Sequence, residues 1–351
     1  MTLTGTRTKP LAKLLVMAAT IATVAVAAPA SADSDAAGGR TKDLGTLPGG
    51  NLSWAYGINE GGVVTGYSED ASGKSHAVRW DRSGKISDLG LLPGYAESMG
   101  FTINNSGVVA GRAYNGHVTS ERATVWDAAG TIKELPTLPG AKLNRSYALN
   151  DHGTVVGVSS NSLNVFQAVR WNTDGTLTKL RGPQAGEPFS GASWVNIHGV
   201  TSGFWGTEAL LWGPEADPTP RVLENLTLAS GPTIDKAYAV NDNGLAVGAA
   251  VDKGAFSHPV RWTKEGKVSE LKLLPGDVGG AAYGISNDGY INGYSMNAVG
   301  VHRAVRWSPD GTIALLVDVT VPSEGYMINE SSTVVGVTTT RNNKIHAAVW
   351  R

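Results

Sequence analysis

Six acidic residues, Glu97, Glu121, Glu187, Asp235, Asp277 and Glu324, fall in the segments that join short apolar runs. Two carboxylates facing each other across a cleft would supply the acid and base of glycoside hydrolysis, but the spacing pairs no two of them. A second set stands four positions before each of seven tryptophans: His76, Arg122, Gln167, Glu208, His258, Arg303 and His346. Their charge changes sign from copy to copy, which a shared metal site would not tolerate. Hydrogen bonds tying each run to a neighbouring loop are expected instead. The turn Asn241-Asp242-Asn243-Gly244 looks acidic but lacks the alternating ligands of a calcium loop. No G-x-S-x-G, zincin or P-loop pattern occurs. No catalytic residue, metal ligand or cofactor is assigned. Aromatic faces beside polar groups suit a different chemistry, the binding of a carbohydrate or a peptide. The ligand-binding candidates are Tyr95, Glu97, Tyr114, Arg145, Phe166, Phe189, Trp205 and Asp277, with Phe256 a further aromatic in the same class of segment. Ordinary loop packing competes for all of them.

The elements that must position these residues come from one repeated unit. An Asn series, Asn59, Asn104, Asn150, Asn196, Asn241, Ser286 and Asn329, recurs at intervals of 43 to 46 residues, with Ser in one copy. A glycine seven residues later and a closing tryptophan (Trp80, Trp126, Trp171, Trp212, Trp262, Trp307, Trp350) recur in all seven copies. A period of this size means an array of one supersecondary unit. Each unit holds four short β-type runs, a to d, and no stretch carries helical spacing, so the chain reads as all-β. Asn-x-x-Gly between runs a and b is the signature of a type I turn. Run a carries a small residue four before the Asn and an aromatic three before it: Tyr56, Phe101, Tyr147, Tyr238, Tyr283 and Tyr326, with Ser193 the exception. On an unbroken strand these lie on opposite faces, a large face against a small one, and the aromatics read as core.

The seventh unit stops one residue after Trp350 and has no run d. Its equivalent stands at the other end, where Asp43-Leu44-Gly45 matches Asp88-Leu89-Gly90. Four-stranded units arranged around an axis make a β-propeller. The expectation is a seven-bladed β-propeller over 41–351, closed by an N-terminal strand that completes the last blade. Tight a–b and c–d turns on one face leave the longer d–a and b–c connections on the other, where binding residues collect. Blade 4 departs most, with a short b–c connection at Phe204 to Thr207 and a long c–d connection at Gly213 to Pro220.

The run DLGTLPGG at 43–50, the Asn-x-x-Gly turn with its following glycine, and HAVRW at 76–80 together resemble the HAF-repeat family of bacterial extracellular proteins. Val78 stands where that family's name-giving Phe would be. The resemblance covers about residues 41 to 351 and implies a secreted, propeller-like protein; it carries no assigned chemistry, so no catalytic residue transfers.

Residues 1–32 read as a signal peptide: Arg7, Lys9 and Lys13, then an apolar run from Leu14 to Ala28, then Ala30-Ser31-Ala32. Residues 33–40 read as a disordered lead-in. Removing the leader takes the formal charge from −1 to −4, which argues against nucleic acid and anionic membrane surfaces as partners. With no Cys in the chain, stability rests on packing rather than disulfides. Three functions remain open: a secreted monomeric binding module for glycan or protein, a structural surface-assembly protein, and a polysaccharide-active hydrolase or lyase.

Overall fold

In a computed structural model the described residues are 41–116, 120–186, 188–317 and 320–351. The expected leader and lead-in, and Glu187, lie outside them. The described chain forms seven four-stranded antiparallel sheets, one small hairpin (Thr227–Leu228 with Gly231–Pro232) and no helix. Blade 1 shows the pattern: strand a is Ser53–Ile58, b is Val64–Glu69, c is Ser75–Trp80 and d is Ile86–Asp88, hydrogen-bonded in chain order. Blade 7 takes its strands a to c from Ser323–Ile328, Val334–Thr339 and Ile345–Trp350, and its strand d from Thr41–Asp43. The ring is therefore closed by the N-terminal strand, as the sequence implied. The seven closing tryptophans are at most 2% exposed and sit between neighbouring blades.

The a–b turns hold the ring together at the axis. Asn59 Oδ1 accepts the Val63 amide at 2.9 Å, which shapes its own turn, and Gly62 takes the positive φ of 75° that the turn needs. The other end of the same side chain reaches the next blade: Asn59 Nδ2 donates to the Asn104 carbonyl at 3.1 Å. Asn104, Asn150, Asn196 and Asn241 each repeat this, and Asn329 donates to the carbonyl of Asn59. The girdle is interrupted only where Ser286 replaces Asn, because a hydroxyl is too short to reach the next blade. The residue after each Asn forms a second, outer ring. Asn105, Asp151, Asp242, Asn287, Glu330 and Glu60 accept backbone amides from the adjacent blade, and Ile197 is the gap.

Strand a is not an unbroken strand. In every blade its register against strand b slips by one residue at the position three before the Asn, as between Ala55 and Gly57. The aromatic is thus the extra residue of a β-bulge, and the bulge turns it toward the axis. This corrects the simple two-face reading, and it also explains the invariant glycine of strand b. That glycine lies opposite the bulge. A Cβ on Gly66, Gly111, Gly157, Gly203, Gly248, Gly293 or Gly336 would run into the carbonyl of the strand-a residue just before the small one, in the same blade (Trp54 for Gly66, Arg145 for Gly157). The close approach is within the blade, not to the next one. Gly157→Ala is expected to cost on the order of 2–4 kcal/mol, since a backbone group rather than a flexible side chain must move. Chemical denaturation measures it, and a midpoint equal to wild type would show that the bulge does not require glycine.

Candidate functional site

The six channel aromatics form an arc around the axis. Ring centroids are 5.9 Å apart for Tyr147–Phe101, 5.4 Å for Phe101–Tyr56, 5.1 Å for Tyr56–Tyr326, 5.6 Å for Tyr326–Tyr283 and 5.4 Å for Tyr283–Tyr238. The arc opens at blade 4, where Ser193 takes the bulge position and Trp194, one residue on, packs against neighbouring core clusters instead. Burial pushes the Tyr238 phenol up to about 12 and raises those of Tyr56, Tyr147, Tyr283 and Tyr326 as well.

Toward the d–a/b–c face, two columns of the repeat carry the charge. The first is five before the Asn, on strand a: Trp54, Met99, Arg145, Gly191, Lys236, Ala281 and Glu324. The second is five before the closing Trp, where strand c begins: Ser75, Glu121, Phe166, Thr207, Ser257, His302 and Ile345. At two junctions a side chain of the first column reaches the preceding blade and meets one of the second. Between blades 2 and 3, the fully buried Glu121 is held by Arg145 and by Arg112, whose Nη1 lies 2.7 Å from Glu121 Oε1. Arg112 lies over the Tyr114 ring at 4.8 Å. Between blades 6 and 7 the polarity is reversed. Glu324, also fully buried, lies 2.7 Å from His302 Nδ1 and accepts the Tyr326 hydroxyl at 2.9 Å. The His302 ring stacks on Tyr294 at 4.0 Å. Between blades 4 and 5 there is a cation alone: Lys236 lies over the Phe204 ring at 4.9 Å and has no carboxylate within ion-pair distance among the described residues. Its burial pulls the ammonium below the usual lysine range.

A strip of phenylalanines joins the first cluster to Lys236. Arg145 lies over Phe166 at 5.0 Å, Phe166 meets Phe189 edge to face at 6.0 Å, and Phe189 meets Phe204 at 5.3 Å. Phe166 and Phe189 are half-buried and Phe204 is buried. Gly191 makes room for this, since a Cβ there would crowd the Phe204 ring. Of the sequence candidates, Arg145, Phe166 and Phe189 thus come together, and Tyr114 joins them through Arg112. Tyr95 and Glu97 sit beside this group on blade 2. The Tyr95 hydroxyl is 3.3 Å from Ser120 Oγ, and Glu97 accepts the Gly116 amide at 3.0 Å. Trp205 is committed to the core with Leu180, Leu210 and Trp212. Asp277 is on blade 6, buried, and held by Arg303 and Ser295. Arg112, Phe204, Lys236 and the pairing of His302 with Glu324 were not foreseen. For Lys236, His302 and Glu324 the signal was available as charged or titratable residues in two repeat columns that elsewhere carry mostly small or apolar ones; Arg112 and Phe204 stand outside those columns.

The polar residues four before each tryptophan resolve differently. His76, Arg122, His258 and His346 pair with the acid of strand d in their own blade, Asp88, Glu134, Glu270 and Asp43, and Arg303 holds Asp277. Most of them lace the outer edge of the blade rather than a neighbouring loop. No group of three or more His, Asp or Glu among the described residues is arranged to hold a metal ion, and no helix long and apolar enough to cross a membrane occurs among them.

No protein-family model and no curated protein matches this sequence. Solved structures do match in shape. Virginiamycin B lyase from Staphylococcus aureus superposes with a TM-score of 0.56 at 14% identity, over 89% of this chain and 98% of that one. A streptogramin B lyase gives 0.54 at 13%, over 90% and 98%. The β-propeller domain of the Trilobed protease from Pyrococcus furiosus gives 0.56 at 12%, over 85% and 95%. At these identities the likeness establishes the propeller fold and no chemistry.

Proposed function

We propose that the protein is a secreted binding propeller that takes a saccharide on its d–a/b–c face, along the strip from Arg145 through Phe166, Phe189 and Phe204 to Lys236. The observation that carries this reading is the strip itself: three phenylalanines from two blades, end to end, with a cation over each terminal ring. The half-buried Phe166 and Phe189 offer apolar surface to a sugar ring, the buried Phe204 packs behind Phe189, and the flanking cations donate to hydroxyls. The strip lies on the face where connections are longest, and the bulged, hydrogen-bonded ring beneath it is a rigid support. A glycan array is the direct test. The native protein is expected to retain a subset of oligosaccharides, and Phe166→Ala with Phe189→Ala is expected to weaken retention at least about tenfold, roughly 1.4 kcal/mol or more. Retention unchanged in the double variant would remove the strip as the site. Retention of nothing by the native protein would leave a surface-assembly role.

A second reading has one specific observation behind it. Glu324 fixes the Nδ1 side of His302, so the Nε2 side is left to act as a base or a hydrogen-bond acceptor. If the site cleaves its ligand, soluble sugars appear from a polysaccharide panel and disappear with His302→Gln, while retention on the array persists.

A further inference from the structure

The repeat offers an internal comparison at Lys236. Three blade junctions carry a charged residue in the strand-a column: Arg145, Lys236 and Glu324. At two of them the facing column supplies the opposite charge or its partner, Glu121 for Arg145 and His302 for Glu324. At the third, the facing position is Thr207, in a connection cut to two residues, Gly206-Thr207, between strands Thr201–Trp205 and Glu208–Trp212. In this short b–c connection the facing position carries no charge. The Asp235 amide donates to the Thr207 carbonyl at 3.1 Å, so Thr207 is tied down by backbone and does not substitute for an acid. The cation that remains is at the end of the phenylalanine strip, half-buried, and its close partner among the described residues is an aromatic face. The other end of the strip is no more acidic, because Arg112 and Arg145 share the single carboxylate of Glu121.

From this geometry we infer that Lys236 is the anion subsite of the strip, and that the saccharide it takes is acidic, with a carboxylate or sulfate ester on the sugar seated against the Lys236 ammonium. The ligand supplies the charge that the other two junctions find within the protein. A desolvated cation is an unfavourable state for the free protein, and it becomes favourable when an anion enters the same low-dielectric position. Burial that lowers the ammonium's proton affinity in the free protein agrees with this. The inference rests on the saccharide reading for the identity of the ligand but not for the presence of an anion site.

Three proteins test it: native, Lys236→Met and Lys236→Arg. Titration uses a uronic-acid oligosaccharide (oligogalacturonate), a sulfated oligosaccharide, and a neutral gluco-oligosaccharide of equal length. Sodium sulfate at fixed ionic strength is a fourth ligand, read by thermal shift. The expected result is tighter binding of one acidic series than of the neutral one by native protein. Lys236→Met should lose at least about tenfold toward that series while keeping any neutral binding, and Lys236→Arg should retain it. Lys236→Met is also expected to melt at or above the native temperature, because it fills the space without the buried charge. Equal affinity of native and Lys236→Met for the acidic ligands overturns the inference. Binding of the neutral oligosaccharide at least as tightly as either acidic series by native protein, lost in the Phe166/Phe189 double variant, overturns it too, and leaves the saccharide reading standing. A sulfate shift present in native protein and absent in Lys236→Met, with no saccharide bound, keeps the anion site and removes the saccharide. Should Lys236→Met melt well below native, Lys236→Gln carries the same comparison.

Discussion

Between about pH 10 and pH 12 the protein is expected to lose most of its stability, and to do so before its phenols ionise. Ten tyrosines are present. Eight of them, Tyr56, Tyr67, Tyr114, Tyr147, Tyr238, Tyr283, Tyr294 and Tyr326, are held above the ordinary tyrosine value, in each case first by burial. Glu324 adds to the effect on Tyr56, Tyr283, Tyr294 and Tyr326, and Arg112 and Arg145 oppose it at Tyr56 and Tyr147 respectively. In the unfolded chain each phenol ionises near 10. Above that pH the unfolded chain has released protons that the folded chain still holds, so alkali favours unfolding. The stabilisation is complete below about pH 10 and is lost as pH climbs toward the folded value, at up to about 1.4 kcal/mol per phenol per pH unit. The channel-lining phenols keep some contact with solvent, which trims this to roughly half. Eight such groups still remove on the order of 5 kcal/mol by about pH 11, against a typical total of about 5–15. Lys236 works in the opposite sense just below its unfolded value, as a single group. Denaturant midpoints against pH, followed alongside tyrosinate absorbance, check this. Phenols that titrate near 10 while the fold persists would show that the aromatic arc is open to solvent.

The blade count, the strand order and the closure were legible because they follow from what repeats. Asn, Gly and Trp in register set the period, and the absent seventh run d was visible as a surplus copy at the N-terminus. The bulge was not legible. A bulge adds a residue without changing residue types, so Ala55-Tyr56-Gly57 reads as plain alternation until Gly66 is seen to lie under the Trp54 carbonyl. The function of the Asn was half legible. Its Oδ1 bond is local and follows from turn chemistry, whereas its Nδ2 bond to the next blade depends on how far apart the blades stand. The site was legible in the same uneven way. Phe166, Phe189 and Arg145 were identifiable as aromatic and polar residues on the long connections. Which of them touch depends on blades 3 to 5 meeting at particular heights, and Trp205 shows the hazard. It follows Phe204 directly, yet strand alternation sends Phe204 to the strip and Trp205 to the core.

Deleting residues 41–48 is expected to open the ring. Thr41, Lys42 and Asp43 pair with Trp350, Val349 and Ala348, and the Leu44 amide donates to the Ala347 carbonyl at 2.9 Å. Without them Ile345–Trp350 becomes an unpaired edge, a row of main-chain donors and acceptors open to another chain. Leu44 is 7% exposed and packs with Ala55, Val78, Trp80 and Val349, that is, with both blade 1 and blade 7, and Leu47 packs against the same cluster. Losing the buried Leu44 costs roughly 1.5–3 kcal/mol, and the partly buried Leu47 adds a smaller share. Two further ties go with them: the contact of His346 with Asp43, and the 2.5 Å hydrogen bond from Lys42 Nζ to the Ser83 carbonyl. The Ala347–Ser53 bond at 2.9 Å and the Asn329–Asn59 bond at 3.2 Å remain, but they cross a seam that no strand now bridges. Blade 7 differs from the other six in one respect: its strands c and d are joined by hydrogen bonds alone, with no c–d connection, while the chain from its strand d into strand a of blade 1 is the d–a connection found elsewhere. The truncated protein is therefore expected to aggregate or to be cleaved first near Trp350, with the remaining blades digested later. A synthetic peptide spanning residues 41–49, added in trans, is expected to restore protease resistance, since it carries both the strand and the two leucines. A truncated protein that stays monomeric, melts like the native chain and ignores the peptide would mean that the Asn girdle alone keeps the propeller shut.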